Sequence, residues 1–445
     1  MTMKKVILYL AAVPALFMTA CTKDISSLNI ETKRAASVPA GTLFSNASRN
    51  LSDNLVSASV NTNPFRFIVK HWSMATYQDE VQFNFSSRNI PQNWWGALYR
   101  DVLADLNEAA RIINADASML PGEKANKLAI VDLLEVYTYQ NLVTTFGDIP
   151  YTQALDPGNV YPVYDDAATV YKDLLTRVTA DIAALDASNP SFASSEDVVY
   201  KGSISKWLKF ANTLRFKMGM VLADADAATA KTNVEAAEAG AFTSASDDAK
   251  FAYLGSTPNT NPLYADIVLG GRGDYLAAKD LMDPLIAMND PRKSLYFGTN
   301  NDGNYVGGVV GAGNTYAMTS KPATQVSAAT APGVLLDYSE IEFYRAEAIE
   351  RGFTVPGTAA AHYANAIKAS IIAWGGSAAD ADTYLARPDV AYATATGDYK
   401  QKIGFQKWIA LYNRPMDGWL ELRRLDFPKL TLPVGAISGF PNRFQ

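Results

Sequence analysis

Apolar side chains recur along much of this chain at three- and four-residue steps, the period of a helix with one face turned to a core. Trp95, Tyr99, Val102, Leu106, Ala109 and Ile113 make one such stripe. Pro121 opens the next helix at a position where its missing N–H costs nothing, and Ile130, Leu133, Leu134 and Tyr137 carry its stripe. Phe146-Gly147-Asp148-Ile149-Pro150 ends it with a glycine-then-proline stop. A third stripe holds Tyr171, Leu174, Leu175, Val178, Ile182 and Leu185, and a fourth Ile204, Trp207, Leu208, Ala211, Leu214, Met218 and Leu222. Amphipathic helices of this length joined by short loops hide their stripes by stacking side by side, so the pattern predicts a mostly all-α domain.

The texture changes near residue 255. From Gly255 to Gly333 the chain is rich in Gly, Asn, Pro, Ser and Thr, with isolated aromatics, and reads as long loops around one helix from Tyr275 to Met288. Scattered Tyr and Phe argue against disorder in this stretch. Helical spacing resumes at Leu335 with Ile341, Tyr344 and Ala348, then continues after a break with Ala360, Tyr363, Ala364, Ile367, Ile371 and Trp374. These two helices have the form of one tetratricopeptide hairpin, although no clean repeat of fixed period recurs elsewhere. A last helix carries Phe405, Trp408, Ile409 and Tyr412.

The N-terminal residues change the expected location. Lys4 and Lys5 precede the apolar run Val6–Ala20, which stops at Cys21, the one cysteine of the chain. A basic start, a short apolar stretch and small residues before a cysteine predict a signal peptide over 1–20 and lipidation at Cys21. Several acyl chains on one residue anchor stably, since each buried methylene contributes about 0.8 kcal/mol. Residues 21–40 then read as a lipidated tether and 41–445 as a single domain with the loop-rich insertion at about 255–333. No later stretch is apolar for long enough to span a bilayer.

Composition narrows the chemistry. A net charge of -6 argues against nucleic acid, which requires clustered Lys and Arg. One cysteine excludes an internal disulfide, and His71 and His362 lack metal-ligand spacing. No Gly-x-Ser-x-Gly, His-Glu-x-x-His or phosphate loop is present. Asn300–Asn304 has the polar density of a calcium loop, but Gly298 and Val309 would occupy its first and twelfth positions without a side-chain oxygen; an EF-hand is excluded and only an irregular calcium site stays open. Glu340, Glu342, Glu347 and Glu350 could supply a glycosidase pair, but Glu342–Arg345 and Glu347–Arg351 have the spacing of surface ion pairs. No cofactor is expected, and the chain reads as a binding protein rather than an enzyme.

Several blocks then appear in order: the cysteine followed by Thr22-Lys23-Asp24, NWWGALYRDVLADLNEAARII (Asn93–Ile113), FGDIPYTQALD (Phe146–Asp156), YKGSISKWLKFANTLRFKMGM (Tyr200–Met220), LLDYSEIEFYRAEAIERG (Leu335–Gly352) and GWLELRRLDFP (Gly418–Pro428). The series resembles the SusD/RagB family of outer-membrane nutrient-binding lipoproteins of Bacteroidetes, over nearly the whole chain. The resemblance implies a right-handed superhelix of tetratricopeptide-like helix pairs with an irregular, loop-rich region packed on one side. It also implies an outer-membrane location facing the cell exterior, a SusC-like TonB-dependent transporter as partner, and an oligosaccharide or, in some members, a peptide as cargo. The membrane is then met through the lipid anchor alone.

Sugars are gripped by flat rings that stack on their apolar faces, with amides, carboxylates and arginines reaching the hydroxyls. The densest aromatic segment outside a helical stripe is Phe65–Trp95, and the resemblance points to about Tyr77–Trp94 within it. Candidate contacts there are Tyr77, Gln82, Phe83, Phe85, Asn93 and Trp94. Trp95, sharing a stripe with Tyr99 and Val102, reads as core, as does Trp72 at helical spacing from Phe65 and Ile68, and His71 reads as a hydrogen-bonded structural group. A second set, Tyr264, Arg272, Tyr275, Tyr305 and Tyr316, lies in the glycine-rich stretch, where the backbone can approach a bound molecule closely.

Overall fold

In a computed structural model of the chain, residues 38–437 are described. The Cys21 lipidation site, the signal segment and nearly all of the 21–40 tether lie outside them. The domain begins with α1 (Ala40–Val56), which packs against a long helix made of α3 (Ile90–Gly96), a wider π-helical segment (Ala97–Leu103) and α4 (Ala104–Ala115). Between them lie the single turn α2 (Phe65–Ile68) and strand β1 (Trp72–Met74). Next come α5 (Pro121–Phe146) and α6 (Ala167–Ala184), packed as a pair, and a second pair, α7 (Ile204–Val221) and α8 (Ala227–Ala237).

These helices begin and end for local reasons. Pro121 stands in the first turn of α5, and Gly147 leaves it with φ +80°, a conformation closed to most side chains. The Asp166 and Asp226 carboxylates cap α6 and α8 by accepting the Thr169 and Thr229 N–H groups at 2.8 and 3.1 Å. The buried side of each helix follows the sequence stripes: Val102, Leu106, Ala109 and Ile113 on one, Val170, Leu174 and Val178 on another, Trp207, Ala211, Leu214 and Met218 on a third.

The irregular region contains β2 (Ala249–Phe251), a π-helical turn (Tyr264–Leu269), β3 (Tyr275–Ala277), α9 (Lys279–Ala287), α10 (Arg292–Tyr296) and β4 (Gly333–Leu336). Here the structure corrects the sequence reading. Tyr275–Ala277 is not the start of a helix but a strand paired antiparallel with β1, and the helix is confined to Lys279–Ala287. Trp72 is fully buried, yet in β1 rather than in a helix with Phe65. Leu335 and Leu336 belong to β4, which pairs with β2.

The last block is α11 (Tyr338–Glu350), α12 (Ala359–Ala373), α13 (Ala378–Leu385), α14 (Tyr399–Ala410) and α15 (Pro415–Leu425). α11 and α12 form the expected helical hairpin, joined by a short turn, and α11 also packs on α7 and α14. It is buried on every side, although Glu340, Glu342, Arg345 and Glu347 interrupt its apolar residues. The ion pairs read from its sequence do form, Arg345–Glu342 at 2.7 Å and Arg351–Glu347 at 2.7 Å, but they are interior rather than surface pairs. Glu347 also meets Arg424 from α15, and Arg345 meets Glu238 at 3.0 Å.

Candidate ligand-binding face

The β1–β3 ribbon sets up the face. Met74 stands opposite Tyr275, and beyond the ladder the Ala75 N–H still donates to the Asp274 carbonyl at 2.9 Å. Tyr77 and Arg272 therefore leave the ribbon at the same end. In extended chain, residues two apart share a side. Accordingly the Arg272 Nε donates to Asp274 Oδ1 at 2.8 Å. The Arg272 guanidinium also lies 4.5 Å from the Tyr275 ring centroid. The Tyr275 hydroxyl donates to Asp266 Oδ2 at 2.8 Å, and the Arg272 N–H donates to the Asp266 carbonyl at 3.3 Å. These bonds fasten the turn that Tyr264, half-buried, opens.

Tyr316 lies against the same place. A Cβ built on Gly273 would meet the Tyr316 Cζ at 3.8 Å, ordinary van der Waals contact, so the ring lies against this stretch of backbone. Lys321 Nζ sits 4.6 Å from that ring's centroid. Tyr77 and Tyr316 are 61% and 38% exposed. Tyr316 thus has an arginine, a lysine and Asp266 nearby, groups that exchange hydrogen bonds with hydroxyls, while Asp274 is buried and holds Arg272 through both oxygens. Tyr305 is half-buried under Lys293, one residue before Val306, whose carbonyl accepts the Ser320 N–H at 2.8 Å.

The remaining candidates are occupied otherwise. Trp94 is 2% exposed and meets Phe65 edge-on at 5.1 Å, while Phe83 is 6% exposed with Phe85 at 5.8 Å. Neither Trp94 nor Phe83 offers a ring face to solvent; Phe85, partly buried, packs against the same core. The Gln82 side-chain amide donates to the Gly311 carbonyl at 2.9 Å, and the Gln82 main-chain carbonyl accepts the Ile437 N–H at 3.1 Å, so the residue brackets the C-terminal segment to the loops. Asn93 is exposed but its amide donates to the Asn61 carbonyl at 2.7 Å. His71 is fully buried between the carbonyls of Trp408 and Tyr412 at 3.0 and 3.3 Å, and burial pushes it down to about 3, a neutral structural ring. Asn300 Oδ1 accepts the N–H groups of Asp302 and Asn304 at 3.0 and 2.9 Å, so the calcium-like loop closes on itself. Among the described residues no group of three or more His, Cys, Asp or Glu side chains is arranged to hold a metal ion.

Sequence reasoning passed over Asp266, Asp274 and Lys321. The alternation Arg272–Asp274 was the available signal, and it was lost when the next residues were read as a helix. It also passed over a second aromatic group. Tyr161 is 88% exposed, and Tyr164 stacks at 6.0 Å on Trp95, which is half-buried and packs against the edge of the core.

Comparison with known proteins agrees with this architecture. The family model SusD-like, described as starch-binding associating with outer membrane, matches residues 32–444. No curated protein matches the sequence. Among solved structures, a protein described as Bacteroidetes AC2a SusD-like is 21% identical, with 91% of this chain and 93% of that chain covered and a TM-score of 0.76. A chitin-binding SusD homologue from Flavobacterium johnsoniae is 24% identical over 89% of each chain, with a TM-score of 0.75. A SusD homologue from Bacteroides uniformis is 23% identical over 88% of each chain, with a TM-score of 0.74. These likenesses establish the mostly helical, tetratricopeptide-containing fold, and with a family match over nearly its whole length this chain belongs to the SusD-like family.

Proposed function

We propose that the chain is a lipid-anchored protein of the outer cell surface that captures an oligosaccharide on the Tyr77–Arg272–Tyr316 face and delivers it to a SusC-like TonB-dependent transporter. The observation that carries the reading is the pair of exposed tyrosine rings flanked by Arg272, Lys321, Asp266 and Asp274, the mixture of apolar plane and hydrogen-bonding rim that a sugar presents in complement. The family description and the chitin-binding relative support a glycan as cargo. Cys21 after its apolar leader supports the anchor, and no helix among the described residues is long and apolar enough to cross a membrane.

The α11 carboxylates that could form a glycosidase pair are engaged elsewhere. Glu340, Glu342 and Glu347 are each engaged by interior cations, and Glu350 accepts the Tyr392 hydroxyl at 2.8 Å. A glycosidase needs a carboxyl pair facing one substrate bond. Calorimetry with chitin and starch oligosaccharides, with peptides as the contrasting cargo, and chromatography of the same mixtures test the reading. Glycan binding with no product is expected. Binding of peptides alone would favour the peptide-carrying reading, and product abolished by one Asp or Glu change would replace the carrier with a hydrolase.

A further inference from the structure

Away from the loop face, a cavity of about 210 Å³ lies where the β2–β4 ribbon meets the ends of α12 and α14. Its polar wall is built from Asp248, Lys250, Asp337, Asn413 and Arg414, and Trp374 closes one side. Several of these groups are already fixed. Asp248 Oδ1 accepts the Tyr338 N–H at 2.7 Å and Oδ2 meets Lys250 at 2.8 Å. Asp337 Oδ1 caps α11 by accepting the Glu340 N–H at 2.7 Å, and its Oδ2 lies 3.5 Å from Arg414 Nη1. Trp374 is held edge-on by Tyr296 at 5.0 Å and Tyr412 at 5.7 Å, a rigid mounting for the indole.

Asn413 is the informative member. Its Oδ1 accepts from Arg66 Nη1 at 3.2 Å, which fixes the sense of the amide, since guanidinium can only donate. The Asn413 NH2 group has no acceptor among the described residues, and Asn413 lines the cavity. The rest of the wall is Val326, Val334 and small apolar residues, with Gln325, whose amide donates to the Leu295 and Trp374 carbonyls. An anion would meet the Asp248 and Asp337 carboxylates, and a cation would meet Lys250 and Arg414, whose guanidinium also holds Glu340 and Asp417 at 2.6 Å each, so the wall suits a neutral ligand that both donates and accepts. At about 30 Å³ per water the space holds about seven water volumes, short of the roughly 300–1,000 Å³ of drug-sized sites.

We propose that this cavity is a second binding site, distinct from the loop face, for a single neutral sugar ring. The apolar face of the ring lies on Trp374. Its hydroxyls donate to Asp248 and Asp337 and accept from the free Asn413 NH2 and from Lys250. The inference does not depend on the loop face, because the two sites share no residue.

Titration with glucose and N-acetylglucosamine to about 50 mM, followed by saturation-transfer NMR and tryptophan fluorescence, tests it. Saturable binding of at least one neutral sugar is expected, weakened about ten-fold in Trp374→Ala and in Asn413→Ala, and unchanged in Tyr77→Ala. Should Trp374→Ala fail to fold, Asn413→Ala decides alone. The proposal is overturned if no neutral sugar saturates the folded protein, if binding survives intact in Asn413→Ala, or if glucosamine or glucuronate binds more tightly than the neutral sugars. Loss of oligosaccharide binding in Tyr77→Ala would concern the loop face only.

Discussion

The helical side and the loop-rich side of this molecule both carry dense charge, and they handle it differently. At the ribbon end, Arg272, Asp266 and Lys321 are partly exposed near the Tyr316 ring, and only Asp274, paired with Arg272, is buried. Among α7, α11, α14 and α15 the charges are interior and matched. Lys217 meets Glu340 at 3.1 Å and also Asp417, Arg414 meets Glu340 and Asp417 at 2.6 Å each, and Glu421 meets Lys407 at 3.0 Å and Arg424 at 2.6 Å. Burial alone would raise the Glu421 carboxyl, but Arg424 and Lys407 hold it well below the usual carboxylate range.

A third cluster shows what happens when cations run short. Between α5 and α6, Asp132, Glu135 and Asp181 surround Arg177, which pairs with Asp132 and with Glu135 at 2.7 Å. Asp181 is left without a cation. Burial and the charge of Asp132 push its carboxyl up to about 10, and burial pushes Glu135 up to about 7 against the pull of Arg177. The same desolvation gives opposite outcomes, and the supply of cations decides which.

The largest expected effect comes from unbalancing the matched cluster. Glu421→Gln leaves Lys407 and Arg424 buried with one anion fewer, and a single amide oxygen where two carboxylate oxygens served them and the Tyr344 hydroxyl. Breaking such a pair from one side costs about 3–5 kcal/mol. Urea unfolding at neutral pH measures it; a loss below about 1 kcal/mol would mean the cluster behaves as surface charge.

Next in size is the contrast of buried and exposed rings. Trp94→Ala removes a core side chain packed on Phe65 and should cost about 3 kcal/mol or more. An unchanged midpoint in thermal unfolding would place Trp94 back among the ligand candidates.

Asp181→Asn should act in the opposite direction. A carboxyl raised to about 10 in the folded chain keeps its proton, whereas the unfolded chain releases it above the ordinary value of 3.8. Folding stability therefore falls as pH climbs through the interval between those values, and it is fully retained below it. Asparagine keeps the shape and a donor without the titration, so the variant should be more stable than the parent at pH 7, with the gain vanishing near pH 4. A pH series of denaturation midpoints checks this, and a variant less stable at pH 7 would show that Asp181 is ionised and paired.

Much of the helical scaffold could be read from sequence because its stripes follow one period; α5, α6 and α7 keep the predicted buried faces. The helix α11 was found, but its environment was not. Charges on every face look like a solvated surface, and the partners Lys217, Arg414 and Arg424 come from helices far away in sequence. Strands of three residues such as Tyr275–Ala277 have no room for a period of two to show, so β3 was merged into α9. The candidate site was legible only as a list of rings. Tyr77 and Trp94 are equivalent in sequence terms, and what separates them is that one follows a ribbon into solvent while the other turns into the core.

That separation yields the smallest effect on stability and the most direct test of function. Tyr77 is 61% exposed, so Tyr77→Ala should change stability by no more than about 0.5 kcal/mol, and Tyr316→Ala, at a ring 38% exposed, should cost more. A ring stacked on a sugar contributes through contact area and geometry that alanine cannot replace. Each substitution should therefore weaken oligosaccharide affinity about ten-fold, about 1.4 kcal/mol, with the double variant weaker still. Calorimetry on protein whose thermal midpoint is unchanged separates the two quantities. If both variants bind like the parent, the exposed rings of Tyr161 and Tyr164 become the better place to seek the cargo, because they are the other exposed tyrosines above with free ring surface.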